Sequence, residues 1–187
     1  MEYTFEDRIK HIFDMCLESV STDPIDIFIE IASSDYIRIH GPEHHILDGA
    51  CLLTAFYNAG GNIDLKESLH MLCERGKDMP GAMCGFWGVC GAVTSIGAAL
   101  SIIEKTGPLS TDTTWELHMF CAADTLNSIA HIGGPRCCKR DAFIAIGKAV
   151  DYLNKEHNVC IEKREVKCCF SSENSECLKA KCPFYGG

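Results

Sequence analysis

The chain has 187 residues, 47% hydrophobic and 23% charged, the balance of one folded core and not of a disordered chain. Lys and Arg number 17 against 26 Asp and Glu. That is a net charge of −9 with no basic run, which argues against nonspecific binding to nucleic-acid phosphates. The departure from average composition is the 13 cysteines.

The first ten residues, MEYTFEDRIK, hold no basic stretch followed by an apolar one, so no secretory signal is expected. The cysteine count is odd, and the adjacent pairs Cys137-Cys138 and Cys168-Cys169 are poorly placed to close unstrained disulfides. This reads as a cytoplasmic protein whose thiols bind metal, do redox work or lie buried.

In chain order, Ile9, Ile12, Phe13, Cys16 and Val20 recur at helical spacing and predict an amphipathic helix. Asp23-Pro24 starts a second helix through IDIFIEIA, where the Ile/Phe alternation leaves a strand as the alternative. After the His40-Gly41-Pro42 break, a third carries Ile46, Leu47, Ala50, Leu53 and Tyr57 on one side and ends at Gly60-Gly61. Asp64 caps a fourth, which buries Leu65, Leu69 and Leu72, and residues 76–88 form a loop. Residues 79–103 carry no charge and are long enough to span a bilayer, but Pro80, Gly81, Gly85, Gly88, Gly91 and Gly97 favour a loop and a buried central helix. Thr111 or Asp112 caps the next helix, with Trp115, Met119, Ala122, Leu126 and Ile129 facing inward. Past Gly133-Gly134-Pro135, the last long helix buries Phe143, Ile146, Gly147, Val150 and Leu153. VCIEKREV reads as one short strand. The expected fold is all-α: six or seven helices around a central apolar helix over residues 1–166, with an irregular Cys-rich tail over 167–187.

That tail holds Cys168, Cys169, Cys177 and Cys182 in a segment too polar to fold by apolar burial. Metal ligation, packing against the core and a disulfide are its three readings. Metal is favoured because thiolates bind zinc or an iron–sulfur cluster strongly, although no Cys-x-x-Cys knuckle is present. GGPRCCKRD brings Cys137 and Cys138 to a helix N-terminus among Arg136, Lys139 and Arg140, a setting that favours thiolates or a bound anion. Cys84 and Cys90 bracket a segment in which Gly88 and Gly91 leave the backbone bare for close approach. HGPEHH sets His40, His44 and His45 at another helix start, as proton donors, metal ligands or turn caps, with Asp48 one turn from His44. The helix starts near 43, 88 and 137 are each separated by one intervening helix, so an antiparallel bundle puts all three at one end.

HGPEHHILDGA, CGFWGVCGAVTSIGAALSI, GGPRCCKRDAF and the CxFSxxNxxCxxxxCP tail together resemble an uncharacterised domain family of anaerobic archaea and bacteria, whose members sit fused to or near methyltransferase or radical-SAM proteins. More distantly, Cys90-Gly91-Ala92 followed by Cys137-Cys138 is similar to a redox-active family with a Gly-Cys-Ala-x-x-Gly…Cys…Cys signature, from which this chain departs at Ser95. Neither resemblance implies a defined reaction.

The sequence thus points to a cytoplasmic metal and thiol protein working in thiol redox or sulfur transfer. Cys90, Cys138, His44 and His45 are the expected catalytic groups, and Arg136, Arg140, Gly88 and Gly91 the expected binding groups. Cys84, Cys90, Cys137 and Cys138 form one expected metal or redox cluster, and Cys168, Cys169, Cys177 and Cys182 another. Iron–sulfur or zinc is the cofactor. Partners are a small anionic or thiol substrate or a partner enzyme, with a homo-oligomer allowed and no nucleic acid or membrane. The rival reading is a noncatalytic metal- or cofactor-binding module serving such an enzyme.

Overall fold

The computed structural model describes residues 2–186 and is all-helical. It comprises α1 (Phe5–Glu18), α2 (Pro24–Ala32), α3 (His44–Asn58), α4 (Leu65–Lys77), α5 (Met83–Phe86), α6 (Gly91–Glu104), α7 (Thr113–Ile132) and α8 (Cys138–Glu156). The expected helices are all present, and α5, a single turn, is the addition, inside the stretch expected to be a loop.

Side-chain chemistry sets the helix starts. Thr4 and Asp7 form a capping box on α1, and Asp23, Asp64 and Asp112 accept backbone N–H groups at the starts of α2, α4 and α7. With Asp23 as cap and Pro24 in the first turn, IDIFIEIA is a helix that buries Ile25, Ile27, Phe28 and Ile31.

The core differs from expectation in which helix lies at the centre. α3 packs against α1, α2, α4, α6 and α8, and it is buried on every side from His44 to Phe56. α6, the expected central helix, packs against α3, α4, α7 and α8. The two cross closely at Gly49, where an added Cβ would lie 2.8 Å from the Ser95 backbone oxygen. Each fully buried leucine of α3, such as Leu47, Leu52 and Leu53, contributes about 1.5–3 kcal/mol of transfer free energy.

Three other expectations are corrected. α7 lies on the surface and turns His118, Thr125 and Ile129 inward, leaving Trp115 and Met119 41% and 50% exposed. Its apolar residues surround the helix, so periodicity did not single out one face. Val20 and Tyr57, expected in the core, are exposed, Val20 because it lies beyond the end of α1. The expected strand at VCIEKREV is extended but pairs with no neighbour, because it runs across helix ends. Glu162 N–H donates to Thr22 O at 3.1 Å, Arg164 N–H to Asp23 Oδ2 at 3.0 Å, and Ile161 bonds Asn154 through both its N–H and its C=O. Among the described residues the only β-type pairing is an isolated bridge between Cys168 and Tyr185.

The uncharged stretch over 79–103 is divided into α5 and the 14-residue α6, which is about 21 Å long against the ~30 Å of a hydrocarbon core. No helix among the described residues is long and apolar enough to cross a membrane. The tail is irregular, with one 3-10 turn over Lys179–Lys181. It rests on α8 through Phe170, which is buried, and Phe184, whose ring meets Phe143 edge-on at 5.4 Å.

Candidate functional site

Backbone breaks deliver three helix starts to one place. Gly41-Pro42 precedes α3, Gly88 with φ +71° precedes α6, and Gly133 with φ +80° ends α7 ahead of α8. Only glycine takes such a positive φ without strain. The starts of α3, α6 and α8, with α5 beside them, enclose a cavity of about 310 Å³. His44, His45 and Asp48 of α3, Cys84 of α5, Cys90 and Gly91 of α6, and Cys138 and Asp141 of α8 line it. A second lobe shares Cys84, Cys90, Arg136 and Asp141 and adds Gly88 and Arg140. The sequence motifs at 40–45, 84–91 and 136–141 therefore share a single site.

Gly91 is required by contact. An added Cβ would meet the His45 ring at 2.1 Å, so the imidazole lies directly on the backbone at the start of α6.

The thiol at the start of α6 meets a base and an orienting cation on α8. The Cys90 thiol donates to Asp141 Oδ2 at 3.6 Å, and Arg140 Nε donates to Asp141 Oδ1 at 2.8 Å. Arg140 Nη2 in turn donates to Pro135 O at 3.3 Å, which fixes the guanidinium. Burial raises the Asp141 carboxyl above its usual range, against the lowering effect of Arg140. That is the direction a carboxylate needs to act as a base near neutral pH.

A second line runs through the buried side chain of Lys139. Its Nζ donates to Arg38 O at 3.2 Å and to His44 Nε2 at 3.2 Å, while His44 Nδ1 faces Asp48 Oδ1 at 3.7 Å. Both Asp48 oxygens are buried with no hydrogen-bond partner. Burial raises the Asp48 carboxyl well above 3.8 and lowers Lys139 to about 8. His44 is lowered to about 3, first by burial and then by the Lys139 charge, so it is a neutral ring linking cation to acid.

Electrostatics correct three sequence expectations. Cys137 and Cys138 were expected to be favoured as thiolates, but burial raises both, Cys138 to about 12 with Asp48 and Asp141 adding to the rise. The three basic neighbours act elsewhere: Arg136 Nε lies 3.7 Å from Glu176, Arg140 holds Asp141, and Lys139 reaches His44. Arg140 is thus no free anion binder, whereas Arg136 is half-exposed at the rim of the pocket. His44 and His45, expected as proton donors, are both shifted down, first by burial, which disfavours the imidazolium form. Cys90 is likewise raised, by burial and by Asp141.

Cys137, expected beside Cys138 in this pocket, faces the opposite way. It lines a second, smaller cavity of about 20 Å³ with Cys168, Cys177 and Cys182 of the tail. Cys169, expected with these three, is exposed and outside that lining. Among the described residues no three His, Cys, Asp or Glu side chains are gathered as around a single metal ion.

Sequence reading passed over Asp141, and it placed Lys139 among the basic neighbours of Cys137 and Cys138 rather than as a buried link to His44. Asp141 stands at i+3 from Cys138, a spacing that places both on one helix face and could have found it. Nothing in the sequence marks Lys139 as buried.

Fold and pockets define an all-helical, cysteine-rich protein with two thiol-lined cavities on either side of the start of α8. Over residues 12–185 the chain matches the family described as "Family of unknown function (DUF5714)", and it belongs to that family. No curated protein matches the chain. No solved structure matches it.

Proposed function

We propose that this protein carries out thiol–disulfide chemistry on a small, anionic disulfide in the pocket between α3, α6 and α8. The observation that carries the reading is the placement of Cys90 and Cys138 on the wall of one pocket, with the Cys90 thiol donating to an Asp141 that Arg140 orients.

Cys90 passes its proton to Asp141, and its sulfur attacks one sulfur of the substrate disulfide. The substrate S–S bond breaks, and the leaving thiolate takes the proton from Asp141. The Cys138 sulfur then attacks the Cys90 sulfur of the mixed disulfide. The second substrate thiolate leaves and takes the Cys138 proton. Two protein thiols have become a disulfide, and one substrate disulfide has become two thiols. A small dithiol restores the protein by the reverse exchange. Arg136, half-exposed at the rim, supplies the positive charge for an anionic substrate by exchanging its 3.7 Å contact with Glu176 for the substrate.

The test is turnover of a small anionic disulfide in the presence of a dithiol. Cys90→Ser is expected to abolish it, and Cys138→Ser to leave a mixed disulfide on Cys90, visible by mass spectrometry. Absence of both turnover and trapped adduct overturns the reading.

A second reading, a noncatalytic metal- or cofactor-carrying module for a partner enzyme, is favoured by Phe86 and Trp87. Phe86 closes α5 and Trp87 caps it, and they are 85% and 70% exposed beside the pocket. Metal retained without turnover supports it.

A further inference from the structure

We infer that Cys137, Cys168, Cys177 and Cys182 form a four-thiolate metal centre, zinc or iron–sulfur, between the start of α8 and the tail. The inference is independent of the pocket chemistry above, since none of its four sulfurs lines that pocket.

The four cysteines come from the N-cap of α8 and from three separate points of the tail, yet they line one cavity. Three of the sulfurs accept backbone N–H groups: Cys137 from Arg140 at 3.4 Å, Cys168 from Phe170 at 3.4 Å and Cys177 from Lys179 at 3.3 Å. The Asn174 side-chain amide adds a donor to Cys137 at 3.5 Å. N–H groups turned toward sulfur hold negative charge there, which a thiol does not need and a metal-bound thiolate does.

The lining contains no carboxylate and two cations, Lys139 and Arg140. No like charge in the lining opposes anionic sulfurs, and a bound metal cation would offset their own. The tail also lacks the apolar burial to fold by itself. Of residues 167–186, only Phe170 and Asn174 are buried, so an added source of folding free energy is needed, as in other small metal-bound segments.

The thiols surround the cavity without closing on one point. Zinc would draw the sulfurs to about 3.8 Å from one another, given Zn–S bonds of about 2.3 Å on a tetrahedron. A cluster holds them farther apart.

The test is the metal and acid-labile sulfide content of the full chain purified without oxygen. The expected result is about one zinc, or about four irons with sulfide, per chain. It should fall at least fivefold in Cys137→Ser and in Cys177→Ser, and stay unchanged in Cys169→Ser and Cys90→Ser. Should the serine variants fail to fold, alkylation of the native wild type decides. The four cysteines are expected to resist labelling until a chelator or acid releases the metal, while Cys169 labels at once. Metal-free wild type, or loss of metal in Cys169→Ser equal to that in Cys137→Ser, would overturn the centre.

Discussion

Cys137 and Cys138 are neighbours in sequence, yet they belong to opposite environments. The pocket that Cys138 faces holds two buried carboxylates, Asp48 and Asp141, and burial pushes the Cys90 and Cys138 thiols up and favours their protonated form. The cavity that Cys137 faces holds no carboxylate, and backbone N–H groups point at its sulfurs. The difference teaches that thiol chemistry in this chain is set by what surrounds each sulfur and not by cysteine density. A protonated thiol needs a base to become the attacking thiolate of an exchange reaction, and Asp141 stands where it could take the proton from Cys90. Sulfurs that accept N–H groups and face no carboxylate suit a metal, whose binding takes the place of the thiol protons.

The sharpest way to break this comparison is through Lys139, which belongs to both regions. Its ammonium reaches His44 on the pocket side and lies 4.9 Å over the Phe170 ring on the tail side. Lys139→Met removes the one cation that faces Asp48 through His44. Leaving the buried Arg38 O and His44 Nε2 without the ammonium donor is expected to cost about 3 kcal/mol in urea unfolding. A change below about 1 kcal/mol would mean that the two regions are not coupled through this residue.

A smaller effect is expected at the pocket alone. Gly91→Ala forces a Cβ into the His45 ring and is expected to destabilise by about 1–3 kcal/mol, read by thermal unfolding. Activity should fall with it, whereas metal content should not, because His45 is distant from the tail cysteines in sequence and lines a different cavity.

Asp48 supplies a pH-dependent test. Its folded pKa lies well above the ordinary 3.8 because of burial. The stability it contributes is therefore fully present below pH 3.8 and is lost as pH rises through the folded value. Asp48→Asn keeps the shape without the ionisation. The variant and wild type should be about equally stable near pH 4, with the variant gaining about 1–2 kcal/mol by pH 8. Parallel curves across that range would show that Asp48 does not titrate as its burial dictates. At the small end, Cys169→Ser, at an exposed site, should shift stability by less than about 0.5 kcal/mol. A larger loss would return Cys169 to the tail site.

Much of the frame could be read from the chain. Asp23-Pro24, Asp64 and Asp112 mark helix starts by the chemistry that caps them, and Gly41-Pro42 and Gly133-Gly134-Pro135 mark the breaks. Counting helices between breaks brought His44, Cys90 and Cys138 to one end, which is where they line a pocket.

The rest depended on side-chain direction. Consecutive residues at a helix start diverge by about 100°, so adjacency put Cys137 and Cys138 in one expected cluster although they face two cavities. The positive dipoles of three helix starts were expected to make thiolates, but desolvation and two carboxylates outweigh them. Burial of Asp48 is a property of the assembled bundle, in which α3 is covered on every side, and no local pattern reports it. The inward face of α7 was misread because Trp115, Met119 and Phe120, apolar and exposed, lie around the helix together with the residues that turn inward.

One measurement tests the division between the two regions most directly: metal content and disulfide turnover of Cys137→Ser and Cys138→Ser, compared side by side. The account predicts that Cys137→Ser loses its metal, and that Cys138→Ser keeps its metal, loses turnover and retains a substrate adduct on Cys90. Loss of metal in Cys138→Ser, or full metal in Cys137→Ser, would contradict it.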